Sequence, residues 1–338
     1  MRMEASASRS PFEGCKKIYV YCPGNSVTGG PERLHQLVAE LAKNKVPASI
    51  VYYPCDREWS TPEPYLRYGC LVEKEVPDDS DIAVIAPEVA TNLLHRFTNA
   101  RRCIWWLSVD NYRGNFENMD RAKLFLKRSI SSRIQSPESV THLCQSAYSK
   151  QFVKSRFGAV GHSLSDYLAD EFFAANPPSE RQNIVAYNPK KGIRTTSAII
   201  RKATGITFIP LVNMTREQVK LALDNAKIYM DFGYHPGKDR IPREAAASGC
   251  IVIVGRRGSA KNDHDVSVPS RYKLMPWQHE KTIALIRSIF TDYPSHLKAQ
   301  EPYRHRIRTE REEFAIQVQQ LFNCCRAPYS TAQDGRSE

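Results

Sequence analysis

Residues 228–254, IYMDFGYHPGKDRIPREAAASGCIVIV, constrain the fold of this chain more than any other stretch. The apolar run Ile228–Phe232 predicts a short buried strand, and Cys250–Val254 predicts a second. Between them lie a loop with Gly233, His235, Pro236 and Gly237 and a helix from Arg240 to Ser248. The unit is therefore βαβ, which calls for a parallel sheet. Lys238, Asp239 and Arg240 close the loop, with Asp239 as candidate N-cap. Two cations thus stand at a helix mouth whose free N–H groups and dipole favour an anion such as a diphosphate. Glu244, one turn in, is an acceptor-only carboxylate suited to a sugar or ribose diol. Ala245, Ala246, Ala247 and Gly249 let the helix lie close on the sheet.

Strand, glycine-bearing loop, Glu-Ala-Ala and β-branched strand together resemble the donor-binding segment of GT-B-fold glycosyltransferases, nearest to the retaining family 4 type. The run from His235 to Ala245, HPGKDRIPREA, is also similar to a group of polysaccharide glycosyltransferases. This resemblance implies an α/β chain with two Rossmann-like domains facing each other across a cleft. It implies a nucleotide-diphosphate sugar as donor substrate, no cofactor, no required metal, and Glu244 on the ribose. Family 4 carries a first Glu eight positions earlier, beside the transferred sugar. Pro236 stands there, so the loop Tyr234–Gly237 must serve the sugar in another way.

The rest of the chain alternates in the same manner. KKIYVYCPG is a strand, and a helix through Leu34, Leu37, Val38 and Leu41 follows the loop NSVTGGPE. Thr28–Arg33 resembles the first glycine loop of GT-B enzymes, with Gly29 and Gly30 admitting donor or acceptor; a tight turn with Pro at N1 explains it equally well. Further strands are expected at Ser49–Tyr53, Asp81–Ala86, Arg102–Leu107 and Val140–Cys144, with helices after Glu88 and from Ala147. Ser108, Asp110 and Asn111 end a strand where a parallel sheet lines its cleft, and so are acceptor-side candidates, unless they form an Asx-capped turn. Residues 112–138 are read as a mobile loop or helix over the cleft, and Leu164–Phe173 as a linking helix.

The domains are placed at 15–176 for the acceptor and 177–300 for the nucleotide sugar, with 301–325 a helix packing back on the first. Residues 1–14 and 326–338 read as disordered. The second domain opens with strand Asn183–Tyr187, running into Asn188, Pro189, Lys190, Lys191 and Gly192. A basic loop there suits a diphosphate, although a solvated turn is the commoner outcome for such a loop alone. Thr215 with Gln218 predicts a capping box.

Of the 338 residues, 41% are apolar, and no run reaches a membrane span. The start lacks a secretory h-region, so the expected location is cytoplasmic, with peripheral membrane contact. Nine scattered cysteines argue for reduced thiols, and Cys22, Cys103, Cys144 and Cys250 for core filler. The net charge of +12 implies an anionic partner. No RNP1 set or zinc finger accompanies it, so nucleic acid is not expected.

The resemblance implies a hexosyl- or pentosyltransferase acting on a glycan or lipid-linked acceptor in polysaccharide or glycoconjugate synthesis. Lys190, Lys191, Lys238 and Arg240 are expected on the diphosphate, with Asn188 and Gly237 also in the donor site and His235 on the donor sugar or phosphate, unless its His-Pro pair simply shapes the loop. An inverting reaction adds a base, Asp110 or His35; a retaining one can use the leaving phosphate. The alternative is an inactive protein of the same fold that binds a nucleotide or nucleic acid.

Overall fold

The computed structural model describes residues 10–113, 139–173 and 180–325. The first lobe is a parallel sheet of β1 (Lys17–Pro23), β2 (Ala48–Tyr53), β3 (Ile82–Pro87), β4 (Arg101–Trp106), β5 (Thr141–Cys144) and β6 (Gly161–Ser163). The strands lie in the order β2-β1-β3-β4-β5-β6. Between them run α1 (Gly29–Lys43), α2 (Glu63–Leu66), α3 (Val109–Arg113) and α4 (Ala147–Phe157). Both faces of the sheet are covered, which is why its strands read as near-continuous apolar runs. Ile18, Val20 and Cys22 pack with Leu34, Leu37 and Leu41 of α1, while Tyr19 and Tyr21 face Phe97 and Phe152 on the other side.

The second lobe holds β7 (Gln182–Tyr187), β8 (Thr207–Pro210), β9 (Ala226–Asp231), β10 (Ile251–Gly255) and β11 (Lys273–Leu274), in the order β11-β10-β9-β7-β8, again parallel. Its helices are α5 (Ile193–Lys202), α6 (Arg216–Asn225), α7 (Arg240–Ala247), α8 (His279–Thr291) and α9 (Tyr293–Ala299). The capping box at α6 forms as expected, Gln218 N–H donating to Thr215 Oγ1 and Thr215 N–H to Gln218 Oε1. The βαβ unit is β9, α7 and β10, with Ile251 opposite Ile228. A last helix, α10 (Glu301–Phe322), packs Tyr303 and Ile307 in the second core and Phe314, Val318, Leu321 and Phe322 in the first. At 22 residues it is about 33 Å long, enough to bind both lobes.

Several local expectations are corrected. Glu88–Arg96 forms 3₁₀ turns broken at Ala90 instead of an α-helix. Leu164–Phe173 is extended except for a turn at Asp170–Phe172. Its backbone is claimed from outside, Leu164 N–H donating to the Cys144 carbonyl and Ser165 N–H to Gln317 Oε1 at 2.6 Å. Residues 10–14, expected in a disordered start, are held: Phe12 is fully buried and stacks on Phe322 at 4.2 Å. Of the stretch 112–138, residues 114–138 lie outside the described residues, as do 1–9 and the tail 326–338. Cys22, Cys103, Cys144 and Cys250 are buried core thiols, and all nine cysteines are free. No helix among the described residues is long and apolar enough to cross a membrane.

Candidate functional site

Loops at the carboxyl ends of both sheets meet in a cleft, the usual ligand position in open α/β sheets. It holds two cavities that share Val27, Thr28, Arg240 and Ile241. One, of about 790 Å³, has Glu32, Tyr65, Arg67, Met214, Arg216 and Glu244 in its walls. The other, of about 760 Å³, reaches from Gly29, Gly30, Glu88 and Ser108 of the first lobe to Lys190, Lys191 and Pro236 of the second.

Arg240 stands where the two cavities join. Its Nε donates to Glu244 Oε1 at 2.6 Å, one turn along α7, and its Nη1 to Glu32 Oε2 at 2.8 Å in the opposite lobe. Arg67 and Arg216 also reach Glu32 Oε1, at 2.6 and 3.3 Å. Burial works to raise the Glu32 carboxyl, but these three guanidinium groups overcome it and hold the group below its usual range. Gly29 lies against the same arginine, since a Cβ there would sit 3.2 Å from Arg240 Cδ; at Gly30 a Cβ would meet open space. Gly29, Gly30, Lys190 and Lys191 thus line one cavity and Glu244 the other, with Arg240 in the walls of both.

Behind this wall the loops are locked by their own side chains. Asp239, expected as N-cap of α7, makes no cap bond. It pairs instead with Lys191 Nζ at 2.7 Å and faces His235 Nδ1 at 3.3 Å. His235 is fully buried and lines neither cavity, so any influence on a donor passes through Asp239 and Lys191. Burial opposes a charge on His235, and Asp231 and Asp239 outweigh it, raising the pKa of the ring. Asn188 also serves its loop, its Oδ1 accepting from Lys190 N–H at 2.9 Å.

Lys238 lines the second cavity, and both it and Gly237 also make contacts to the first lobe and the last helix. Lys238 Nζ bonds Glu310 at 2.9 Å and Ser165 Oγ at 2.7 Å, so its charge is already met. It belongs to a buried cluster in which Arg243 reaches Asp166 at 2.7 Å and Glu310 at 2.6 Å, and Arg33 reaches Asp166 at 2.6 Å. Burial opposes the Asp166 charge, but Arg243, Arg33 and Lys238 hold its carboxyl well below the ordinary range. Gly237 abuts the first lobe, where a Cβ would lie 2.2 Å from the Leu107 carbonyl oxygen. Next to it Val109 N–H donates to the Pro236 carbonyl at 2.9 Å, and Lys238 N–H donates to Gln145 Oε1 at 3.1 Å. These bonds hold the lobes in contact across the seam.

Among the described residues, neither base candidate is in the walls of these two cavities. Asp110 is buried, accepts from the Tyr148 hydroxyl at 3.2 Å and lines neither cavity. His35 is fully enclosed: Nδ1 donates to the Pro31 carbonyl, Nε2 pairs with Tyr52, and the ring stacks on Tyr65. Burial lowers its pKa, so it stays neutral. The carboxylate that does line the cleft from this lobe's sheet is Glu88, which the sequence reading passed over. Its Oε2 accepts from Leu107 N–H at 3.0 Å, and burial, opposed by backbone N–H groups and Arg33, pushes its pKa up to about 7. The signal was available: a Glu directly after a buried strand, the same placing that singled out Ser108 and Asn111, which do line the cavity. Among the described residues no group of three or more His, Cys, Asp and Glu side chains is placed to hold a metal ion.

Two parallel α/β sheets with facing carboxyl ends, joined by a returning last helix, can be set against known structures. Sucrose-phosphate synthase from Thermosynechococcus elongatus superposes with a TM-score of 0.63 at 13% identity, covering 91% of this chain and 98% of its own. The chain has the GT-B fold. HepE of Anabaena in complex with UDP-glucose shares it, with a TM-score of 0.62 at 9% identity over 91% of this chain and 99% of its own. So does T4 phage BGT with its UDP-glucose substrate, at 0.52 and 11% over 92% and 100%. No protein-family model matches the sequence, and no curated protein matches it significantly. In GT-B terms the cleft between the lobes is the groove where the two Rossmann-like domains face each other.

Proposed function

We propose that the protein is a glycosyltransferase that moves a sugar from a nucleotide-diphosphate donor to a hydroxyl acceptor. The observation that carries this reading is Arg240 at the mouth of α7, bonded to Glu244 and flanked by Lys190 and Lys191, in a cleft open to both lobes. UDP is the favoured nucleotide, since HepE and BGT, of the same fold, bind UDP-glucose.

The nucleoside occupies the cavity walled by Met214, Ile241 and Glu244, with the ribose diol on Glu244. The diphosphate lies at Arg240, Lys190 and Lys191. As the bond to the anomeric carbon breaks, negative charge gathers on the leaving phosphate, and fixed cations with the free N–H groups of α7 stabilise it. Such preorganised stabilisers typically contribute about 3–4 kcal/mol each. The acceptor, a glycan or lipid-linked glycan, sits on the first lobe near Ser108 and Asn111. Lys238 supports the loop from behind through Glu310.

The test is thermal stabilisation by UDP-, GDP- and dTDP-sugars with NAD as control, because a ligand of the native state raises its melting point. A UDP-sugar shift that Glu244→Ala abolishes supports the reading. A shift with NAD alone, or one indifferent to Glu244→Ala, ends it. UDP binding without transfer to any acceptor in a sugar panel leaves the inactive binding protein as the answer.

A further inference from the structure

We propose that Glu88 is the group that takes the proton from the incoming hydroxyl, that Ser108 orients that hydroxyl, and that transfer inverts the anomeric carbon. The proposal rests on the donor reading above and adds the reaction's base and its stereochemical course.

The cavity of about 760 Å³ takes its lining from both lobes, and two of its charged groups are already paired, Arg33 of the first lobe with Asp166 and Asp239 of the second with Lys191. Lys190, Lys191 and Arg240 come from the second lobe, and Glu88, Ser108 and Asn111 from the first. Its acidic lining residues are Glu88 and Asp239, and Asp239 is committed to Lys191 at 2.7 Å. Glu88 is therefore the carboxylate left to act on a substrate there. It sits at the carboxyl end of β3, beside the middle of the sheet, and the Leu107 N–H fixes its position at 3.0 Å. Beside it the Ser108 hydroxyl is shielded from solvent and has no hydrogen-bond partner among the described residues. A buried hydroxyl left unsatisfied next to a cavity marks the place of a polar ligand group.

With the diphosphate on the cationic wall and the acceptor on the Glu88 wall, nucleophile and leaving group lie on opposite faces of the sugar. The acceptor oxygen forms its bond to the anomeric carbon while the bond to the diphosphate oxygen breaks. That electron pair leaves with the nucleoside diphosphate, and the acceptor proton passes to the Glu88 carboxylate. No further reactant is needed. The charged and titratable groups around Glu88 in this cavity are Arg33, Lys190, Lys191, Lys238, Asp239, Arg240 and Tyr53. Within this set Glu88 has a pKa of about 7, near the optimum for a base at neutral pH.

The experiment supplies UDP-glucose, whose glucose is α-linked, and a panel of sugar acceptors to the full chain. UDP binding is measured by calorimetry, turnover by UDP release, and product configuration by proton NMR. We expect a β-linked product. Glu88→Gln should keep UDP affinity within about twofold and lose turnover by about 100- to 10,000-fold. The limb of kcat/KM near pH 7 should vanish with it, and Ser108→Ala should raise KM for the acceptor. If Glu88→Gln does not fold, Glu88→Asp, charged but shorter by one methylene, should bind UDP and lose turnover at least tenfold. An α-linked product from the unaltered chain overturns the proposal, as does a folded Glu88 variant with wild-type turnover. Failure of the unaltered chain to bind UDP removes the donor reading and the base with it, whereas intact binding with an unaffected Glu88 variant removes the base alone.

Discussion

Arg240 and Glu32 are joined across the cleft, Nη1 to Oε2 at 2.8 Å, so the helix proposed to face the donor is tied to the first helix of the opposite lobe. Glu32 occupies the guanidinium where a diphosphate would bind, and shares in Arg67 and Arg216 as well. Anion binding must displace a carboxylate that is already there. Glu32→Gln removes the competing charge and should tighten UDP about tenfold, roughly 1.4 kcal/mol, in low-salt calorimetry. Unchanged or weaker binding would show that Glu32 organises the site instead of competing for it.

Lys190 and Lys191 are neighbours in the cavity wall. Lys191 also holds Asp239 at 2.7 Å, in a region where His235 and Asp231 add further buried charge. Lys191→Met should lower both UDP affinity and the melting temperature, because it leaves Asp239 short of its main counter-charge. A Lys191→Met variant that melts with the unaltered chain would show that Asp239 finds its counter-charge elsewhere.

Arg243 is buried between Asp166 and Glu310, with 2% of its surface exposed. Removing one partner from such a cluster strands the others in a low dielectric and costs about 3–5 kcal/mol. For a chain of this size Arg243→Ala should lower the melting temperature by about 4–7 °C. A drop under about 2 °C would mean that water enters the seam and solvates both carboxylates.

Glu88 makes stability depend on pH in a defined sense. Its pKa of about 7 lies above the ordinary 4.5, burial being the cause. Between those values the native chain holds a proton that the unfolded chain has lost, so this group's contribution falls as pH rises from about 4.5 to 7 and then levels off. The full change is ~3 kcal/mol. Glu88→Gln stays neutral and should therefore gain on the unaltered chain as pH rises through this window, read from urea unfolding at pH 5 and pH 8. Parallel curves would place the titration elsewhere.

Gly237 leaves no room for a side chain because the Leu107 carbonyl oxygen lies 2.2 Å from where its Cβ would be. Gly237→Ala must push the loop off the first lobe, and overpacking of this kind costs about 1–3 kcal/mol. The Val109 amide, which donates to Pro236, should then exchange its hydrogen faster. Unaltered exchange at Val109 would show that the strain is absorbed without opening the seam.

The sequence by itself determined the two parallel α/β lobes, the βαβ unit around Arg240, the returning last helix and the grouping of Arg240, Glu244, Lys190 and Lys191. Apolar runs, periodicity and loop position are properties of neighbouring residues, and they survive any arrangement of the rest of the chain. Only the tertiary structure decided which carboxylates these cations meet. Lys238 is neutralised by Glu310, Asp239 is taken from its cap by Lys191, and Arg240 is shared with Glu32, partners that lie 48 to 208 residues away. Charges pair by distance in space, and burial raises or lowers a carboxyl according to what surrounds it. The place of Glu88 therefore emerged only once β3, β4 and the second lobe stood side by side.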